Sequence, residues 1–171
     1  GGFNSRLNMN LREDKGWTYG ARSAFSGGKQ TGDYEFSSGI RGNATDSALV
    51  EIMKELKGFA ENGVTPEELE FMKSAIGQRD ALRYETGFQK AGFIGNILEH
   101  NLPADYVDQQ NKIINSITKE EIDRLAKKWL QTDKMNILVV GDKEKILPGL
   151  EKLGYEIIEL DADGKPVKKA F

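Results

Sequence analysis

LREDKGWTYG, residues 11–20, is the stretch in which this chain is expected to pass from a helix into a strand. Gly16 suits the left-handed residue that commonly ends a helix, and the aromatic and β-branched residues at 17–19 favour a strand. The stretch therefore predicts a helix that ends near Gly16 and reverses into a strand. The helical part extends toward the start of the chain, where one apolar face recurs every four positions at Phe3, Leu7 and Leu11.

Arg12 and Tyr19 lie on the two sides of this reversal. They are too far apart in sequence to be neighbours on one helix, where partners lie three or four residues apart. A helix that reverses into a strand brings both side chains to one surface, which we predict to be the functional site. The competing interpretation, favoured by composition alone, is a helix-surface charge beside Glu13 or Asp14 and an ordinary strand aromatic.

The composition is typical of a globular domain, with 171 residues, 38% hydrophobic and 30% charged residues. The net charge of -3 provides no basic stripe for binding nucleic acid. No apolar run approaches the roughly 18–20 residues that span a bilayer. Because the chain has no cysteine, disulfides and thiolate chemistry are excluded. The sequence leaves the compartment open between the bacterial cytoplasm and periplasm.

The order of predicted elements indicates an α+β fold, a largely antiparallel sheet with helices packed on one face. Two strands, at 17–28 and 33–43, are expected to form a hairpin because a short Gly-containing loop joins them. Helical patterns fill the middle of the chain, and Thr65 and Glu68 form a capping-box signature at the start of one of them. Apolar runs predict two further strands at 135–140 and 155–160, separated by a helix at 142–153.

The chain offers no metal ligand set of its own. His100 is the single histidine, whereas a catalytic zinc site usually takes three protein ligands, often with two histidines on one helix. We interpret His100 as a helix-end residue, and we predict no metal ligand and no catalytic residue in this chain. The turn at Gly141-Asp142-Lys143 lacks both glycine-rich phosphate-binding patterns.

GGFNSRLNMNLREDKGWTYGARS, residues 1–23, resembles the second, zinc-free homologous half of pitrilysin/insulinase-type metallopeptidases. The resemblance continues through the hairpin, the TPEEL helix start at 65–69 and VVGD at 139–142, and so covers nearly the whole chain. In that family two homologous halves enclose a chamber. The first half carries an inverted His-x-x-Glu-His zinc motif, and the second supplies an Arg and a Tyr that reach the substrate. Those two residues fall on Arg12 and Tyr19 here.

The resemblance implies that residues 1–171 are one partial C-terminal-type peptidase domain, whose upstream strands and zinc-bearing domain lie outside this chain. It implies a substrate-binding, non-catalytic half, inactive alone, that cleaves peptides together with a zinc-bearing homologous domain or subunit. Zinc would be carried by that partner half. Two alternatives stay open. One is a structural or assembly subunit of the same fold without a proteolytic role, and the other is an independent small-molecule-binding domain.

Overall fold

The computed structural model describes residues 5–81 and 85–167, and it shows an α+β chain that is mostly helical. The prediction for Phe3 and the end of the helix predicted at 65–85 lie outside the described residues. The principal elements are α1 (Arg6–Asn8), a π-helical stretch (Met9–Asp14), β1 (Thr18–Gly27), β2 (Gly32–Ile40), α2 (Thr45–Asn62), α3 (Pro66–Ala81), α4 (Gly87–His100), α5 (Tyr106–Ser116), α6 (Lys119–Trp129) and α7 (Lys143–Leu150).

Single 3-10 turns connect several of these elements. They lie at Gly42–Ala44, Thr132–Lys134 and Glu151–Leu153. The first leads directly into α2, and Thr45 Oγ1 donates to the carbonyl of Gly42 across it at 3.1 Å. None of the helices within residues 5–81 and 85–167 combines the length and apolar character needed to cross a bilayer.

The contacts divide the chain into two compact units. The first consists of Gly1–Ala24, Glu35–Glu55 and Asn136–Phe171, and the second of Phe25–Tyr34 and Leu56–Met135. The largest fully buried side chain among the described residues is Leu11, in the first unit. The other apolar side chains buried in that unit are Leu7, Ala21, Ala44, Ala48, Ile52 and Met53. Those buried in the second unit are Leu56, Leu69, Ala126 and Leu130.

The predicted hairpin is confirmed. β1 and β2 form a two-stranded sheet, joined by a short turn in which the Gly28 amide donates to the Thr31 carbonyl at 2.9 Å. Near the turn, the rings of Phe25 and Tyr34 contact each other across the two strands with centroids 4.8 Å apart. A cross-strand aromatic pair of this kind stabilises a hairpin beyond the burial of its area.

The prediction of strands at 135–140 and 155–160 is wrong for the described residues. The prediction of a larger antiparallel sheet is wrong for them as well. The sheet there has two strands, and the second apolar run makes one isolated bridge, between Leu160 and Pro166. Residues 137–140 keep the two-residue period of a strand, since Ile137 and Val139 are about half as exposed as Leu138 and Val140. A strand needs a hydrogen-bonded neighbour, and the described chain supplies none to this run.

The helix starts follow the sequence signals. The Thr65–Glu68 capping box is present, because the Glu68 amide donates to Thr65 Oγ1 at 3.2 Å and Glu68 Oε2 accepts from the Thr65 amide at 2.8 Å. Thr118 likewise accepts from the Glu121 amide at 3.3 Å. These bonds satisfy amides that a helix start leaves without intrahelical partners.

Candidate functional site

Arg12 lies in the π-helical stretch that follows α1. The wider helical turn is visible in the backbone, where the Lys15 amide donates to the carbonyl of Asn10, five residues earlier, at 3.2 Å. Short π-helical stretches are rare and occur frequently at functional sites. The Arg12 side chain is about one third exposed, and its Nε lies 3.6 Å from a carboxylate oxygen of Glu13. An exposed pair of this length contributes little to stability.

The helix reverses at Gly16, as predicted. Gly16 has a φ of 62°, in the left-handed region that favours glycine, and its amide donates to the carbonyl of Arg12 at 3.1 Å. The Trp17 amide then donates to the carbonyl of Leu11 at 2.9 Å. These two bonds occupy the last carbonyls of the helix, and the burial of the Leu11 side chain anchors the reversal in the first unit.

Tyr19 is the second residue of β1, and its side chain is 99% exposed. An almost fully exposed tyrosine at a position fixed by a strand is unusual, because tyrosine normally covers part of its ring. Arg12 and Tyr19 thus lie on either side of the reversal, in one unit, and solvent reaches both. That the two side chains serve one surface stays a prediction.

One polar cluster of the first unit was not predicted. The Asn10 amide nitrogen donates to Glu51 Oε2 at 2.9 Å and to Glu55 Oε1 at 2.8 Å. The bond from Asn10 lowers the pKa of the Glu51 carboxyl, burial opposes this, and Lys15 and Lys54, each 3.9 Å away, lower the pKa further. Sequence patterns miss this cluster because Asn10 and its partners are about forty residues apart.

Zinc does not fit the donor set of this chain. His100, the single histidine, ends α4 on the protein surface, and there is no cysteine. Across residues 5–81 and 85–167, no three carboxylate or imidazole side chains come together in a way that would hold a metal ion. No catalytic step at a metal is therefore assigned to residues of this chain.

An open cavity of about 280 Å³ lies in the second unit, and neither Arg12 nor Tyr19 lines it. Its charged lining mixes both signs, Lys57 and Lys127 with Glu61 and Asp133. No single ligand charge is favoured by such a lining, so the cavity does not displace Arg12 and Tyr19 as the candidate site.

Comparison with known proteins agrees with the resemblance seen in residues 1–23. The family model described as "Peptidase M16 inactive domain" matches residues 1–76. The crystal structure of a peptidase M16 inactive domain from Pseudomonas fluorescens is similar over 78% of this chain, with 25% sequence identity and a TM-score of 0.71. No curated protein matches the chain significantly.

The matched part is 32% of the Pseudomonas fluorescens chain, so this chain spans about a third of that protein's length. The family match covers the helix, the reversal, the hairpin and α2, and therefore both predicted site residues. The structural similarity extends the same fold over most of the remaining chain. Residues 1–76 are thus similar to the peptidase M16 inactive domain, and over 78% of its length the chain has a fold similar to that of such a domain.

Proposed function

We propose that this chain is the substrate-binding, non-catalytic half of an M16-type zinc peptidase, in which Arg12 and Tyr19 bind the peptide backbone of the substrate. The family is zinc-dependent and its inactive domains typically pair with an active domain. The observation that carries the proposal is the local geometry. A π-helical turn presents Arg12, a glycine reverses the chain, and a strand presents Tyr19 almost fully to solvent.

The two side chains have the chemistry that this role requires. Attack of water on a peptide carbonyl builds negative charge on the carbonyl oxygen, and fixed donors stabilise that charge. Arg12 contributes a guanidinium with several N–H donors, and Tyr19 contributes a phenol O–H. In the proposed enzyme, zinc on the partner half supplies the activated water. Arg12 and Tyr19 orient the substrate and donate to its carbonyl oxygens.

The apolar runs at 135–140 and 155–160 support a second part of the proposal, that further polypeptide pairs with this domain. Leu138 and Val140 are 78% and 90% exposed, and Ile158 is 60% exposed. Extended, apolar, unpaired segments offer free backbone donors and acceptors to an added strand. We propose that both runs are covered by upstream strands of the whole protein or by the zinc-bearing half.

The test uses the complete protein that carries this chain, affinity-tagged and purified from its source with the zinc-bearing half. Cleavage of quenched fluorescent peptides is followed with and without a chelator. Arg12→Ala and Tyr19→Phe are each expected to lower kcat by about 10²–10³-fold, the usual cost of removing one such donor. Arg124→Ala makes the same change at another exposed position, and Tyr106→Phe removes the hydroxyl of a half-buried tyrosine on α5; both should leave cleavage unchanged.

Unchanged cleavage in both Arg12→Ala and Tyr19→Phe would contradict the proposed role of these residues. A complete, zinc-loaded assembly that cleaves no peptide would favour the structural or assembly subunit instead. Zinc content and recovery of the partner half are measured for every variant, so that loss of activity through loss of assembly is recognised.

A further inference from the structure

Two polar side chains of the first unit are buried, and both bind the backbone beside Tyr19. Asn8 is 6% exposed and Thr18 is 9% exposed. Removing a polar group from water costs free energy unless the group is hydrogen-bonded. The burial of each of these side chains therefore depends on its hydrogen-bond partners. In β1 those partners are the two residues that follow Tyr19, Gly20 and Ala21.

Asn8 holds the strand on the far side of Tyr19. Its Oδ1 accepts from the Ala21 amide at 2.7 Å, and its Nδ2 donates to the Ala21 carbonyl at 3.1 Å. A primary amide presents a donor and an acceptor side by side, as a neighbouring strand would, so this one side chain replaces a missing ladder partner. Asn8 belongs to the helical segment that carries Arg12, and the pair of bonds ties that segment to the strand that carries Tyr19.

Thr18, immediately before Tyr19, binds the β1 backbone just after Tyr19 and the backbone of β2. Its Oγ1 accepts from the Gly20 amide at 3.1 Å and donates to the carbonyl of Gly39, in β2, at 2.8 Å. Ser38 Oγ donates to the Gly20 carbonyl at 3.0 Å. A threonine that binds the backbone two residues ahead competes with the regular strand conformation.

The consequence is visible in the burial of β1. Thr18 and Ala21 are buried, whereas Tyr19 and Gly20 between them are exposed, so the two-residue alternation of a strand is broken at this point. The break leaves Tyr19 projecting into solvent, while Thr18 before it is buried and the backbone of Gly20 and Ala21 after it is bonded to buried side chains. An exposed side chain on a doubly anchored backbone is suited to meet a substrate in a fixed position.

We infer that Asn8 and Thr18 are positioning residues that fix the Tyr19 phenol relative to Arg12 for substrate binding. The inference rests on the proposed function, and it assigns neither residue a contact with the substrate. Asn8 sets the distance between the Arg12 segment and β1, and Thr18 sets the direction in which Tyr19 leaves the strand.

The first experiment measures cleavage by the complete assembly with Thr18→Val, which keeps the shape and removes the hydroxyl. We expect kcat to fall about 10- to 100-fold, the scale of a displaced positioning contact, with zinc content and partner recovery unchanged. Thr18→Ser keeps the hydroxyl and should restore most of the activity. Thr31→Val, in the exposed hairpin turn, is the matched control and should have no effect.

Asn8 is tested in the same way with Asn8→Asp, which keeps an acceptor for the Ala21 amide and removes the donor to the Ala21 carbonyl. A fall in kcat is expected. Asn62→Asp, at an exposed site on α2, makes the same change as a control. Equal activity of Thr18→Val, Asn8→Asp and the unmodified protein would overturn the inference.

The decisive measurement is a double-mutant cycle with Tyr19→Phe. If Asn8 and Thr18 act by placing the phenol, their substitutions should cause little further loss once the phenol oxygen is absent. If the fold-losses in kcat of the single variants multiply in full in the double variant, Asn8 and Thr18 have a general structural role and the inference is overturned. If Tyr19→Phe alone leaves cleavage intact, the proposed function fails. If it lowers cleavage while Thr18→Val does not, only the positioning role fails.

Discussion

The hairpin at 18–40 and the apolar runs at 135–140 and 155–160 all have sequences typical of strands, but they differ in structure. Both contain the β-branched and aromatic residues that favour strands, but only the hairpin forms a sheet among the described residues. In the hairpin each strand meets its partner through a short turn, and buried polar side chains hold the first strand in place. The apolar runs remain exposed, with Leu138 and Val140 turned to solvent.

The difference shows that strand propensity describes a surface that is ready to pair, not the pairing itself. A hairpin partner is reached at a small cost in loop-closure entropy, whereas a distant partner must be supplied by other parts of the fold. The hairpin region is thus specified by local sequence. We propose that the apolar runs depend on a neighbour that the described residues do not contain.

Matched leucine truncations should give the largest contrast between these regions. Leu11 is fully buried at the reversal, and Leu11→Ala is expected to lower the free energy of unfolding by about 2–5 kcal/mol. Leu138 is 78% exposed, and Leu138→Ala is expected to change it by less than about 0.5 kcal/mol. Urea denaturation of the two variants measures both values. A comparable loss from Leu138→Ala would show that the run at 135–140 is already packed in solution.

Gly16→Ala should produce an intermediate effect. An alanine at φ 62° incurs the left-handed backbone penalty, which we expect to lower the free energy of unfolding by about 1–2 kcal/mol. No atom lies near the position of the added methyl group, so steric overlap adds nothing. Gly39→Ala in β2, where the φ is ordinary and space is also free, is the control. Equal denaturation midpoints for the two variants would contradict this account of the reversal.

The smallest expected effect is a change in the free energy of unfolding at acidic pH. The Asn10 amide bond lowers the pKa of Glu51 from its usual value of 4.5, so the folded state favours the ionised carboxylate. This contribution to stability is present above pH 4.5 and is lost as the pH falls through the lowered pKa. The difference in unfolding free energy between the unmodified chain and Asn10→Ala should therefore shrink in acid. A difference that stays constant with pH would contradict the assignment. Asn62→Ala provides the comparison at an exposed site.

Local signals predicted the parts of the site that depend on neighbours in sequence. Residues 11–20 predict the glycine that ends the helix, the strand after it, and the positions of Arg12 and Tyr19 on either side of the reversal. The short loop predicts the hairpin. Asn8 and Thr18 were missed because their partners are backbone groups, which carry no sequence signature. A polar residue in a helix resembles any surface residue until the strand that covers it is known.

The π-helical turn limits how the length of this segment can change. A π turn holds about one residue more than an α turn, so deleting a single residue between positions 9 and 14 would return the segment to an ordinary helix. Arg12 lies within this stretch, so that change would alter the direction in which its side chain leaves the helix. We therefore expect changes in length to be tolerated at the exposed hairpin turn and not between Arg12 and Tyr19.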